Sequence, residues 1–161
     1  MDVRSILKPG SIRCESQVRS KKHALDVLSQ MLADAAEGPT PEEVMNALIG
    51  RERLGTTALG EAVALPHVRL PGVRENVAAL LKLAEPVDFG APDGQPVDLL
   101  LGLLVPADSK DAELREVDIL VKRLNDPELK RALRSASDPL VLHSLFAKLL
   151  SQAEPRAAKR T

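Results

Sequence analysis

The chain has 161 residues, with 22 Lys and Arg against 23 Asp and Glu, a formal net charge of −1. That length suits one domain of about 100–200 residues with its own core, and the charge balance argues against a protein held mainly by nucleic-acid phosphates or an anionic membrane surface. No Trp, no Tyr and only two Phe imply an aliphatic core without a stacking platform for single-stranded nucleic acid; the single cysteine, Cys14, allows neither an internal disulfide nor a cysteine zinc site.

In chain order, residues 11–15 alternate weakly and predict an edge strand. Over 20–36, Leu25, Leu28, Leu32 and Ala35 recur at helical spacing, and Glu37-Gly38-Pro39 ends the pattern. Thr40-Pro41-Glu42-Glu43 combines a capping residue, a first-turn proline and a glutamate placed to close a capping box, which starts a second helix running to about Arg53. Three short apolar runs follow, 61–65, 76–83 and 97–105, bounded by Pro, Gly and Asp. Their near-continuous apolar character predicts strands covered on both faces. The helical period then returns over 109–124, with Leu114, Val117, Val121 and Leu124 as its stripe. Asp126-Pro127 and Asp138-Pro139 open two further helices, 127–134 and 139–151. The order strand, two helices, three strands, three helices requires helices on both faces of one small sheet, an α/β layered domain over 1–151, with 152–161 as a flexible tail. No charged-then-apolar leader opens the chain, and the longest apolar run, Leu99–Ala107, is far shorter than the ~20 residues a membrane span needs. A cytoplasmic location without membrane insertion is therefore expected.

The chemistry narrows quickly. His23, His67 and His143 fall on separate elements without metal-ligand spacing, so no metal site is expected. The chain lacks a Gly-x-Ser-x-Gly elbow. Gly55 and Gly60 have the spacing of a phosphate loop, but Glu61 stands where such a loop needs lysine. His67 is set apart by its context. It follows Val63-Ala64-Leu65 and then Pro66, which should end a strand and leave the imidazole at its mouth. Arg51, Arg53, Thr56, Thr57 and Arg69 lie near it in sequence, and guanidinium and hydroxyl donors are what phosphoryl oxygens require.

The segment Arg51-Glu-Arg-Leu-Gly-Thr-Thr-Ala-Leu-Gly-Glu-Ala-Val-Ala-Leu-Pro-His67 resembles the active-site signature of the enzyme IIA domains of the bacterial phosphotransferase system. The run from Gln95 through Val-Pro-Ala-Asp108, and Val121-Lys-Arg-Leu124, are similar to the matching blocks of the nitrogen-regulatory type within the fructose/mannitol superfamily. The resemblance implies a three-layer α/β/α sandwich with a mixed sheet. It implies a phosphotransferase component in which His67 accepts a phosphoryl group from a histidine phosphocarrier protein, with Arg51, Thr56 and Thr57 binding the phosphate. Partner proteins such as transporters or sensor kinases would then be regulated by the phosphorylation state. The only group carried would be the covalent phosphoryl itself, with no separate cofactor.

Two positions depart from the family pattern. Val68 stands where glycine usually follows Pro-His, and the helix after Val-Pro-Ala-Asp lacks the family's second histidine, with Glu113 or Arg115 at its place. Glu113 facing His67 would orient the ring and repel a bound phosphoryl group; Arg115 there would favour it. Two alternatives stay open: a sugar-specific enzyme IIA passing phosphate to an enzyme IIB, and a non-catalytic interaction module with a vestigial site. Val68, Leu70 and Leu59 are candidates for an apolar docking rim around His67.

Overall fold

A computed structural model describes residues 6–15, 17–136 and 138–153. A short 3₁₀ turn, Pro9–Ser11, leads into β1, Ile12–Glu15, which is followed by α1, Lys21–Ala36, and α2, Pro41–Leu54. Five strands come next: β2 Ala58–Gly60, β3 Val63–Ala64, β4 His67–Leu70, β5 Val77–Val87 and β6 Val97–Pro106. The helices α3 Asp111–Leu124, α4 Pro127–Ser135 and α5 Pro139–Ala153 complete the chain. Residues 154–161, the greater part of the expected tail, lie outside the described residues.

The helix starts follow the capping chemistry in the sequence. The Thr40 hydroxyl accepts from Glu43 N at 3.1 Å, and Glu43 Oε1 accepts from Thr40 N at 2.8 Å, so two otherwise orphaned amides are satisfied reciprocally. Ser20 caps α1 through His23 N at 3.0 Å, and Asp126 caps α4 through Glu128 N at 2.9 Å. At the other end of α4, Lys82 Nζ from β5 donates to the carbonyls of Leu133, Arg134 and Ala136, placing a cation where the helix dipole is negative.

The sheet is mixed. Its order is β1-β5-β6-β3-β2, with β4 also pairing β6. β1 runs parallel to β5, β5 antiparallel to β6, and both β3 and β4 parallel to β6. Side-chain alternation along β6 builds two cores. Leu100 and Leu104 join Leu25, Leu28, Leu32, Val44 and Leu48 from α1 and α2. Leu99, Leu101, Leu103 and Val105 join Leu120, Leu124, Leu129, Leu133, Leu142 and Phe146 from α3, α4 and α5. This is the three-layer α/β/α sandwich. Gly102 allows the close approach of α1, because a Cβ there would meet Leu28 side-chain atoms at 2.7 Å.

The structure corrects the expected strand count. The run 61–65 is not one strand. Glu61 and Ala62 have φ of 55° and 69° and form the turn of an antiparallel β2–β3 hairpin. Pro66 does interrupt pairing, yet its carbonyl accepts from Leu103 N at 2.9 Å and the chain resumes beside β6 as β4. His67 therefore opens a strand instead of following one. The alternation His67-Val68-Arg69-Leu70 carried that signal: Val68 and Leu70 pack against the α1–α2 core, which directs His67 and Arg69 to the opposite side.

Candidate functional site

β4 and β3 occupy successive stretches along the same partner strand, β6, and among the described residues β4 pairs with β6 alone. The layers on the two faces converge beside β4. The last two turns of α2 supply Ala47, Arg51 and Leu54, and α3 supplies Val117 and Asp118. With His67, Val68, Arg69 and Val105 these residues line an open cleft of about 590 Å³.

The His67 ring is half-buried and its Nδ1 lies 2.8 Å from the carbonyl oxygen of Leu65. A carbonyl only accepts, so this contact assigns the proton to Nδ1 and leaves the lone pair on Nε2. The hairpin end holds Leu65 in turn, its N–H donating to Thr57 O at 3.0 Å. The tautomer of His67 is thus set by backbone, two residues away, without a carboxylate partner.

Arg51 lines the same cleft and donates from Nη1 to Gly55 O at 2.8 Å, a contact that closes the end of α2 and leaves its other guanidinium donors available. Gly55 itself has φ of 151°, a conformation that side-chain-bearing residues rarely adopt. The structure therefore brings Arg51 to His67, as the sequence predicts.

It does not bring Thr56 and Thr57 there. Neither lines the cleft, and both hydroxyl protons are committed elsewhere: Thr56 Oγ1 donates to Phe89 O at 2.7 Å, and Thr57 Oγ1 donates to Glu52 Oε2. Glu52, almost fully buried, also accepts from Thr57 N and pairs with Lys21 Nζ at 2.9 Å. A hydroxyl has one proton to give, so in this arrangement the two threonines anchor the loop that leads to the hairpin.

Val68 lies in extended strand backbone and is not among the residues with positive φ, so nothing in the local conformation calls for glycine. Of the residues offered for the second-histidine place, Arg115 is exposed and does not line the cleft, whereas the Glu113 side chain lies outside what the structure describes. Of the expected apolar rim, Val68 lines the cleft, whereas Leu59 and Leu70 do not. Leu59 packs toward the α3–α5 core and Leu70 toward the α1–α2 core. The exposed apolar residue at the cleft is Leu54, at 85%. Asp118 and Leu54 are the cleft residues that sequence reasoning did not single out, whereas Arg69 was among the basic residues noted near His67. The β4 alternation adds that Arg69 shares the side of His67.

The remaining histidines serve local structure or solvent: His143 Nε2 lies 2.8 Å from Leu7 O, and His23 is exposed on α1. Among the described residues no group of three or more His, Cys, Asp or Glu is placed to hold a metal ion, and no helix is long and apolar enough to cross a membrane.

Comparison with known proteins agrees with this geometry. The pattern of the family described as "Phosphoenolpyruvate-dependent sugar phosphotransferase system, EIIA 2" matches residues 5–149. The chain is 35% identical over 147 residues to the nitrogen regulatory protein of Escherichia coli (strain K12), covering 91% of this chain and 90% of that one. It is 34% identical over 147 residues to the nitrogen regulatory protein of Bradyrhizobium diazoefficiens, covering 91% and 95%. The crystal structure of nitrogen regulatory protein IIA-Ntr from Neisseria meningitidis superposes with a TM-score of 0.82 at 30% identity, covering 92% of this chain and 98% of that one. A histidine with one defined free nitrogen, beside an arginine at the edge of a mixed sheet and within a fold shared at this level, makes the chain a member of the enzyme IIA family of the phosphoenolpyruvate-dependent sugar phosphotransferase system.

Proposed function

We propose that the protein is a nitrogen-regulatory enzyme IIA that accepts a phosphoryl group on Nε2 of His67 and regulates partner proteins according to that state, in the cytoplasm. The observation that carries this reading is the 2.8 Å contact from Nδ1 to Leu65 O, which leaves Nε2 as the nucleophile on the cleft's histidine. The lone pair of Nε2 attacks the phosphorus of a phosphohistidine on the donor carrier. The new P–N bond forms as the donor's P–N bond breaks, and its electron pair returns to the donor ring, which leaves as neutral imidazole because its other nitrogen carries a proton. His67 keeps its Nδ1 proton and becomes a phosphorylated imidazolium, stabilised by the Leu65 carbonyl. Arg51 neutralises charge on the transferring group, and positioning does most of the remaining work. The group carried is the covalent phosphoryl alone. Leu54, exposed at the rim, is suited to dock the carrier as an apolar anchor with polar surroundings.

Incubation with a phosphoenolpyruvate-charged histidine phosphocarrier, followed by intact mass measurement, tests this. The expected product carries one acid-labile phosphoryl group, absent in His67→Ala. A chain that stays unmodified with every competent donor would instead be an interaction module.

A further inference from the structure

The cleft contains a second guanidinium that has no partner among the described residues. Arg69 stands two residues after His67 on β4, about 7 Å along the strand, and successive odd positions of a strand project to one side. Its neighbours Val68 and Leu70 pack into the α1–α2 core, so Arg69 shares the side of His67, and both line the cleft together with Arg51. Arg69 is exposed at the cleft and, among the described residues, makes no side-chain hydrogen bond or ion pair. Asp118 is the carboxylate that lines the cleft, and among the described residues it has no ion-pair partner. An exposed cationic side chain that lines the cleft with His67, without an internal anion among the described residues, is open to an external one.

Resting on the reading of His67 as phosphoryl acceptor, we infer that Arg69 is a phosphate ligand: with Arg51 it forms a two-guanidinium clamp on the phosphoryl oxygens carried by Nε2 of His67. The two arms approach from different elements, Arg51 from α2 and Arg69 from β4. A tetrahedral phosphoryl group on Nε2 presents three oxygens, enough for each guanidinium to take its own. The clamp supplies the second positive group from the strand, where the family pattern places a histidine on the helix that is α3 here. Arg115, on α3, does not line the cleft and has no part in it.

The test compares wild type, Arg69→Gln, Arg69→Lys and Arg115→Gln in single-turnover transfer from a phosphorylated carrier, together with the lifetime of phospho-His67. Arg69→Gln is expected to slow transfer at least tenfold and shorten the lifetime, Arg69→Lys to recover part of both, and Arg115→Gln to match wild type. A second readout needs no donor: NMR titration of the unphosphorylated chain with inorganic phosphate should shift the His67 ring signals in wild type and much less in Arg69→Gln. Transfer and lifetime within twofold of wild type in Arg69→Gln, or a loss found in Arg115→Gln instead, would overturn the clamp. If no donor phosphorylates the wild type, the functional reading fails, and the titration then decides the clamp separately. Ring signals that phosphate leaves unmoved, or moves equally in Arg69→Gln, reject it; signals it moves only when Arg69 is present uphold it.

Discussion

Two charged clusters flank opposite ends of the hairpin and β4, and they are built on opposite plans. At the β2–β3 turn each charge has an internal partner. Lys130 Nζ, with a side chain only 4% exposed, pairs with Glu61 Oε1 at 2.6 Å; Arg134 binds Asp98 at 3.1 Å and Glu61 O at 2.9 Å; Asp93 accepts from Glu61 N at 2.8 Å. Around His67, Arg51 has only a carbonyl partner, and Arg69 and Asp118 have no partners among the described residues. A satisfied cluster holds a shape; here it fixes two residues at positive φ, a costly backbone that persists only when its surroundings enforce it. An unsatisfied cluster keeps its electrostatic capacity for a ligand. Charge composition alone does not distinguish the two, whereas the pairing does.

That contrast is best challenged by substitutions that separate folding from transfer. The largest effect is expected from Arg51→Ala. Loss of a charge-assisted donor at the transferring group should slow phosphoryl transfer by about 100-fold, while stability falls by no more than ~1 kcal/mol for one exposed hydrogen bond. Stopped transfer assays and thermal melts on the same preparation measure both. A melting loss that accounted for the activity loss would place Arg51 with the structural cluster.

Glu61→Ala should behave in the reverse way. It leaves the buried Lys130 ammonium without its carboxylate, a cost of about 1–3 kcal/mol, or roughly 2–4 °C of melting temperature per kcal/mol for a chain of this size. Phosphorylation of His67 should remain at the wild-type rate. A smaller effect is expected for Asp118→Asn. Removing a negative charge from the cleft should prolong the lifetime of phospho-His67 by about two- to fivefold, the scale of an exposed charge interaction of 0.5–1 kcal/mol, with stability unchanged.

The smallest expected effect concerns pH. The Asp93 carboxyl is held below the ordinary carboxylate range, chiefly by the Glu61 N–H and then by that of Gln95. Its folded-state pKa is the lower one, so its contribution to stability is complete above the unfolded value and is lost as pH falls through the folded value, below about pH 4. Asp93→Asn should therefore lower stability slightly near neutrality, with the difference from wild type disappearing as pH falls through the acid limb. A difference near pH 7 that matched the acid-limb difference would show that geometry, not ionisation, is what Asp93 supplies.

Local signals made the helices legible. Thr40-Pro41 and Glu43, or Asp126-Pro127, act within one turn of chain, and α1 and α2 begin and end within a residue or so of their predicted limits. The strand β6 was equally readable, because an apolar run of that length needs cover on both faces; β5 was read only to Leu83, since its end, through Val87, is largely exposed and not an apolar run. His67 and Arg51 were readable as well, through the motif that joins them. The hairpin turn was not. Glu61 and Ala62 carry no turn residue type, and their positive φ is imposed by Asp93, thirty-odd residues away in sequence, and by the α4 side chains Lys130 and Arg134.

The strand β4 was missed for a related reason. A proline normally marks the end of a ladder, and only the presence of β6 beside it allows pairing to resume at His67. The roles of the hydroxyls were likewise invisible, since Thr57 meets Glu52 and Lys21 only once α1 and α2 have packed. Which charges face an internal partner and which face an open cleft depends on side chains from β4, α2 and α3 meeting at one edge of the sheet. Chain order by itself determined the layers and singled out His67; the tertiary arrangement decided its tautomer and its neighbours, because hydrogen-bond partners are chosen by distance in space and not along the chain.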